Sequence, residues 1–351
     1  MKKKVIIFCD YFGNGGIERV AQYIKNNINK DKYIVEILST IYDSQIYNEE
    51  VIQITNAKNR NPIYRFIKTI TNIRKFTADA DIVHINMHSP IGLFYAFLLK
   101  KRVNKIIVHA HNSNFDRDFL KIKLLISNIF KFLFNSSQYV YIACSKQASQ
   151  FCFGEKVKSK ILHNELYIER YIFNEKKRKE TRLKYNIKDN EIVVGNIGRL
   201  SKQKNQGFLI DIFAEFRNFY PNAKLILIGE GKEEKNIRKS IVKKNIEKSV
   251  IMINNVKDIE NMYQTFDFYV APSRFEGYGN TIYEAILSSL LCLVSENVCK
   301  NFNNKNLISI NLNKPALYWA TKMKENVGYN RSKIDVSNNN HYIKNIEKLY
   351  K

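Results

Sequence analysis

Two glutamates, Glu276 and Glu284, stand eight residues apart in the stretch APSRFEGYGNTIYEA, from Ala271 to Ala285. Carboxylates accept hydrogen bonds from hydroxyls, so two in one short stretch suit an oxygen-rich ligand. The apolar run Phe268, Tyr269, Val270 precedes them, a turn punctuated by Pro and Gly follows, and then comes an amphipathic segment from Ile282 to Leu290. That pattern reads as strand, loop, helix. Gly277 and Gly279, with Tyr278 between them, leave room for a ligand to approach the main chain, and the amides of Asn280 and Thr281 fall where the helix starts. The turn separates the glutamates, which are expected to project at different depths of one cleft.

A second constellation brings positive charge. The apolar run Ile192 to Ile197 ends in Gly198, Arg199, Leu200, Ser201, Lys202, Gln203, Lys204 and Asn205. Arg199 leaves the strand end and Lys204 lies near the start of the next helix, so both cations can converge on one diphosphate. Their work would be to stabilise charge on a departing nucleoside diphosphate, a role a divalent metal fills in other designs. A basic loop without a ligand is the plainer reading. Near the start of the chain, Val5 to Phe8 is followed by DYFGNGG (Asp10 to Gly16) and a helical pattern with Ile17, Val20, Ala21, Ile24 and Ile28 on one face. Strand, glycine loop and helix start together make a phosphate cradle. A dinucleotide fingerprint starting at Gly13 would need glycine at position 18, where the chain has Glu18.

In VHAHNS (Val108 to Ser113) two histidines, His109 and His111, lie at a strand end. As metal ligands they lack a third partner at a plausible spacing, so no metal site is expected. Strand alternation is read as placing one histidine on each side of the sheet, with His109 as packing. Asp79 and Asp81 form a D-x-D at the entry to a strand, the wrong end of a sheet for a ligand.

These residues need elements to hold them. Strands are expected at Tyr33 to Ser39, Asp81 to Asn86, Lys105 to Ala110, Tyr139 to Ala143 and Lys160 to His163. In the second half they fall at Ile192 to Ile197, Ala223 to Ile228, Val250 to Ile253, Phe268 to Ala271 and Leu291 to Val294, with helices between. The composition turns highly charged from Leu166 to Asn190, which is read as the domain boundary. Two basic amphipathic stretches lie in the first half. Asn59 to Phe76 carries Arg60, Arg65, Lys68, Arg74 and Lys75; Phe119 to Phe134 carries Lys121, Lys123 and Lys131 among Leu, Ile and Phe. Either covers a sheet with one face or lies on an anionic membrane.

Taken together, these motifs resemble the retaining glycosyltransferases of family 4, of the two-Rossmann-domain type known as GT-B. Glu276 and Glu284 match that family's E-x7-E signature in a similar P-S-x-x-E-G context. Gly198 to Asn205 resembles its G-R-L-x-x-x-K-N motif, Gly229 to Gly231 its G-x-G loop, and the Gly15, Gly16, Glu18 segment its G-G-x-E loop. The resemblance implies an α/β fold with two Rossmann-like domains facing across a cleft. Residues 1–168 would bind the acceptor, 169–337 the nucleotide sugar, and a final helix in 338–351 would pack back on the first domain. It implies catalytic roles for Glu276, His111, Arg199 and Lys204. It also implies donor contacts from Gly15, Gly16, Glu230, Ile253, Asn254, Gly277, Tyr278, Gly279, Asn280, Thr281 and Glu284. The implied donor is a UDP-sugar, used without a metal or other cofactor, and the implied acceptor is a polyprenyl diphosphate-linked saccharide at the inner membrane face. After Ser295 the chain departs from the family's glycine-rich turn; that form, with Trp319, is similar to a subgroup building bacterial capsular or exopolysaccharides.

Composition bounds the rest. The chain has 351 residues, enough for two α/β domains, and 57 Lys and Arg against 33 acids give a net charge of +24. Such a balance favours phosphates, nucleic acid or an anionic membrane as partners, although a coding bias toward lysine, asparagine, isoleucine and tyrosine gives the same balance. A nucleic-acid binder would interleave basic and stacking aromatic residues on one element, and none does. A sugar-nucleotide epimerase and a non-catalytic sugar-nucleotide binder share the expected pocket and differ by needing no acceptor. No run approaches the roughly 20 apolar residues needed to span a bilayer. The five cysteines show no C-x-x-C pair and are read as reduced packing residues of a cytosolic protein.

Overall fold

The computed structural model describes residues 1–13, 15–42, 51–55, 61–115, 120–164, 167–254, 256–300, 302, 304–331 and 341–351. Asn59, Arg60, Phe119 and Leu166, named above, lie outside the described residues. The chain divides into two compact units: Met1–Leu166 with Asn338–Lys351, and Tyr167–Ser337.

The first unit's strands are β1 (Lys3–Phe12), β2 (Tyr33–Tyr42), β3 (Val51–Gln53), β4 (Ile82–Met87), β5 (Lys105–Ala110), β6 (Tyr139–Ala143) and β7 (Lys160–Ile161). They form one parallel sheet in the order β3-β2-β1-β4-β5-β6-β7. Its helices are α1 (Gly16–Asn27), α2 (Pro62–Phe76), α3 (Ile91–Leu99), α4 (Leu120–Phe134) and α5 (Lys146–Phe153). The second unit holds α6 (Ile168–Tyr171), α7 (Glu175–Lys184), α8 (Gln206–Phe219), α9 (Glu234–Lys243), α10 (Ile259–Thr265), α11 (Asn280–Leu287), α12 (Glu296–Cys299) and α13 (Ala316–Lys324). Its strands are β8 (Val193–Ile197), β9 (Lys224–Ile228), β10 (Val250–Ile253), β11 (Phe268–Ala271), β12 (Leu291–Ser295) and β13 (Leu307–Ile310). They lie parallel in the order β10-β9-β8-β11-β12-β13.

Strands buried on both faces read as continuous apolar runs, which is why these were visible in sequence. β3 and β13 were not: each is a short edge strand in a polar stretch, below the length at which a run stands out.

The last helix, α14 (His341–Tyr350), belongs to the first unit. Tyr342, Ile346 and Tyr350 join Ile17, Val20 and Ile24 of α1 in one core cluster on the sheet. Lys3 Nζ donates to the carbonyl of Lys351 at 2.9 Å, and the amide of Asn29 donates to Glu347 Oε1 at 2.9 Å.

The charged stretch read as a boundary proves to be folded. Its helix α7 sends Arg178 and Arg182 onto the end of α10: Arg178 donates to the carbonyls of Gln264, Thr265 and Phe266 and pairs with Asp267 at 2.5 Å. Arg331 donates to the carbonyls of Gln264 and Phe266. Cations at the negative end of a helix satisfy carbonyls that have no partner within it. Within this charged stretch Arg182 is only 3% exposed.

Candidate functional site

In an open parallel sheet, ligands settle beyond the carboxyl ends of the strands, where the strand order reverses. In the second unit the reversal lies between β8 and β11, since successive strands run from β8 outward on one side and from β11 outward on the other. The loop after β8 carries Arg199 and Lys204; the loop after β11 carries Glu276. Lys204 Nζ and Glu276 Oε1 meet there at 2.7 Å, with side chains 17% and 7% exposed. Arg199, on the same loop, is exposed.

The two loops are fastened together by hydrogen bonds to main-chain carbonyls. The amide of Arg274 donates to the carbonyl of Gln203 at 2.8 Å, and Gln203 Nε2 donates to the carbonyl of Phe275 at 3.0 Å. Asn205 Nδ2 donates to the carbonyl of Pro272 at 3.1 Å. Gln203 and Arg274 escaped the sequence reading, because a side chain that holds another loop's backbone has no motif of its own. An ion pair so held is costly to desolvate, and removing either partner strands the other charge. A ligand offering phosphate to the ammonium and hydroxyls to the carboxylate would relieve that cost.

Glu284 lies in α11 and takes a hydrogen bond of 2.6 Å from the Tyr263 hydroxyl. It is 8% exposed. Tyr263, on α10, is a second residue the sequence hid, because a buried tyrosine looks like core until its hydroxyl is traced. α11 begins at Asn280 with Gly279 as its cap at φ +93°, a left-handed value that glycine adopts without strain. The amides of Asn280 and Thr281 are therefore among the first-turn donors that find no acceptor within the helix. Gly277, Tyr278 and Gly279 are buried, and the Tyr278 ring packs on Phe302 at 5.2 Å between centroids. Phe302, from the segment that departs from the family pattern, thus backs the loop.

The loop after β9 has a different reason for its glycine. Gly229 has φ +136°, and a Cβ there would stand 2.2 Å from the carbonyl oxygen of Gly198. The β8 and β9 loops pack backbone on backbone, with the Leu200 amide donating to the Glu230 carbonyl at 2.9 Å. Glu230 and Asn254 are exposed, and the carbonyl of Ile253 accepts from the Gly229 amide at 2.9 Å.

In the first unit the reversal lies between β1 and β4. Gly15 and Gly16 stand at the start of α1, after β1, with no side-chain cap. His111 follows β5; its Nε2 donates to Asn86 Oδ1 at 2.8 Å, while Asn86 Nδ2 reaches Cys9 Sγ at 3.5 Å. The His109 and His111 rings lie 3.8 Å apart between centroids, which corrects the expectation of one histidine per side. Residues two apart on a strand share a face. His109 also meets His84 Nε2 at 3.2 Å, and His84 Nδ1 meets the Tyr350 hydroxyl at 2.8 Å. Burial pushes His84 down to about 3. Burial, then neighbouring imidazoles, hold His109 and His111 well below the usual histidine range.

Asp79 pairs with Lys4 at 2.8 Å, and the Asp81 carboxylate accepts from the Lys4 amide at 2.8 Å. Both serve the amino end of the sheet. No cluster of three or more His, Cys, Asp or Glu able to hold a metal occurs among the described residues.

Two family models match the chain: "Glycosyltransferase Family 4" over residues 14–157 and "Glycosyl transferases group 1" over residues 177–301. The Bacillus subtilis protein EpsF, whose name places it among glycosyltransferases, is 22% identical over 91% of this chain and 86% of its own length. The Escherichia coli O-antigen biosynthesis glycosyltransferase WclY is 24% identical over 78% of this chain and 80% of its own. Among solved structures, Anabaena HepE in complex with UDP and glucose superposes with a TM-score of 0.77 at 19% identity, covering 93% of this chain and 90% of that one. WaaG, a glycosyltransferase involved in lipopolysaccharide biosynthesis, gives 0.71 at 15% identity, covering 93% and 95%. Each unit has the Rossmann-like sheet that the GT-B fold requires, each carries one of the two matched models, and the chain belongs to the family 4 glycosyltransferases.

Proposed function

We propose that this protein is a retaining, metal-independent glycosyltransferase that moves a hexosyl or N-acetylhexosaminyl group from a UDP-sugar to a polyprenyl diphosphate-linked saccharide. The observation that carries the reading is the part-buried Lys204–Glu276 pair at the β8/β11 reversal, which offers an ammonium and a carboxylate side by side. Lys204, with Arg199, takes the charge of the departing diphosphate; Glu276 holds donor hydroxyls near the anomeric carbon; Glu284 takes the ribose hydroxyls. The acceptor oxygen forms its bond to the anomeric carbon on the face from which the phosphate oxygen leaves. Its proton passes to that phosphate, so no protein nucleophile is needed. The reading assigns the acceptor to the first unit, gives His111 a place near the reacting centre, and has the amides of Gly15 and Gly16 help hold the leaving diphosphate.

The curated relatives support a setting in bacterial surface polysaccharide assembly, capsular or exopolysaccharide, since WclY is named for O-antigen biosynthesis. UDP as the nucleotide is supported by the HepE complexes with UDP and with UDP-glucose. The work would be done in the cytoplasm at the inner face of the membrane. Among the described residues no helix is long and apolar enough to cross a membrane.

Calorimetric titration of UDP, GDP and ADP without metal tests the donor site. Selective UDP binding that Lys204→Ala removes is expected. Equal or absent binding of all three would end the reading, and tight UDP binding with no transfer to any acceptor would make the protein a sugar-nucleotide binder.

A further inference from the structure

Three adjacent strands of the first unit place a short polar line in an otherwise apolar face. Cys9 on β1 lies in register with Asn86 on β4, Asn86 lies in register with His109 on β5, and His111 follows two residues on. All four are at most 9% exposed. The rest of that face, with Val5, Ile7, Ile82 and Ile107, forms one apolar core with residues of α1 and α14. A polar group in such a place costs stability unless it is hydrogen-bonded, so each one present needs a reason.

The contacts of Asn86 decide where the proton of His111 sits. A neutral imidazole has one N–H and one bare nitrogen, and the partners of the ring select between its two forms. Asn86 Nδ2 donates to Cys9 Sγ at 3.5 Å, which turns Oδ1, an acceptor only, to His111 Nε2 at 2.8 Å. His111 Nδ1 is buried and has no hydrogen-bond partner among the described residues. A proton on Nδ1 would therefore be a buried donor with nothing to bond, and it would set the Nε2 lone pair against the lone pairs of Oδ1. A proton on Nε2 meets an acceptor. Burial holds the ring neutral, so double protonation does not remove the choice. The His109 ring, 3.8 Å away between centroids, lies against His111 and limits its rotation; His84 and the Tyr350 hydroxyl hold His109 in turn.

We propose that Asn86 is a positioning residue, which fixes His111 in the tautomer protonated on Nε2 and leaves Nδ1 as the acceptor of the ring. The consequence for substrate is one of direction. A ring held in this form accepts at Nδ1 and cannot donate there, so it meets a hydroxyl and not a phosphate oxygen. That use rests on the place given to His111 above, whereas the tautomer itself is measured without any substrate.

The test is 15N NMR of the full chain labelled in histidine, with the His111 signals assigned by their loss in His111→Gln, alongside UDP titration. Protonated and bare ring nitrogens are well separated in shift. The wild type is expected to carry the His111 proton on Nε2. Asn86→Asp, whose carboxylate can only accept, should keep it there. Asn86→Leu has a similar shape and no acceptor, and should raise the share protonated on Nδ1 roughly tenfold, the worth of one hydrogen bond. A wild-type proton on Nδ1, a proton that Asn86→Asp drives to Nδ1, or a folded Asn86→Leu with the wild-type tautomer would each overturn the proposal; if Asn86→Leu does not fold, the other two proteins decide. Bound UDP-glucose should move the Nδ1 resonance in the direction of hydrogen-bond acceptance with the proton still on Nε2, and a bound complex that leaves Nδ1 unmoved or protonates it would overturn the acceptor role. UDP binding with the wild-type proton on Nδ1 would sink the role of Asn86 and leave the transferase reading standing; a proton on Nε2 without UDP binding would do the reverse.

Discussion

At the carboxyl end of the second sheet Lys204 and Glu276 meet as a lysine–carboxylate pair, whereas near the same end of the first sheet three histidines lie buried with lowered pKa values. The same topology thus supports two chemistries. Charge in the second unit is tolerable because the partners lie side by side on loops fastened by hydrogen bonds to main-chain carbonyls. In the first unit burial keeps the imidazoles neutral. A charged end suits an anion that must be gripped and released; a neutral end suits hydroxyls.

Acid separates the two ends most strongly. The folded pKa of His84, about 3, lies below the unfolded value near 6.5, so below pH 6.5 the unfolded chain binds the extra proton and stability falls. With His109 and His111 shifted the same way, the loss reaches about 4 kcal/mol per pH unit below pH 6 at most. Hydrogen exchange of the full chain at pH 7.5 and 5.5 should show protection lost first in β4 and β5 and retained in β8 and β11. Equal loss in both units would erase the contrast.

Next in size is the loop contact that supports the charged end. Gly229→Ala should lower stability by about 2–4 kcal/mol, read by urea unfolding, because its Cβ meets the Gly198 carbonyl. A stability change under about 0.5 kcal/mol would show that the two loops part freely.

Glu276→Gln keeps the shape and removes the charge. Transfer should fall at least about a hundredfold while UDP affinity stays within a few-fold. Normal transfer would strip Glu276 of its role. Tyr263→Phe should have the smallest effect, a several-fold weaker UDP affinity from loss of one hydrogen bond to Glu284. If that variant binds like the wild type, Glu284 does not depend on Tyr263 for its position.

Local pattern carried much of this protein. Among the described residues, apolar runs located eleven of thirteen strands, because strands covered on both faces are apolar whatever their neighbours. The motifs around Glu276, Lys204 and Gly15 marked loops at the correct ends of strands, because glycine and charge after an apolar run have few other uses. Pairing was beyond the sequence. Lys204 and Glu276 are 72 residues apart and meet only because β8 and β11 lie side by side. Tyr263 finds Glu284, Arg178 and Arg182 cap α10 from the stretch read as the domain boundary, and His109 lies against His111. For α4 periodicity gave an apolar face and left open which way it points; Leu125 and Phe132 are exposed. Composition and spacing are properties of one segment, while burial, partner and direction depend on what the rest of the chain packs against it.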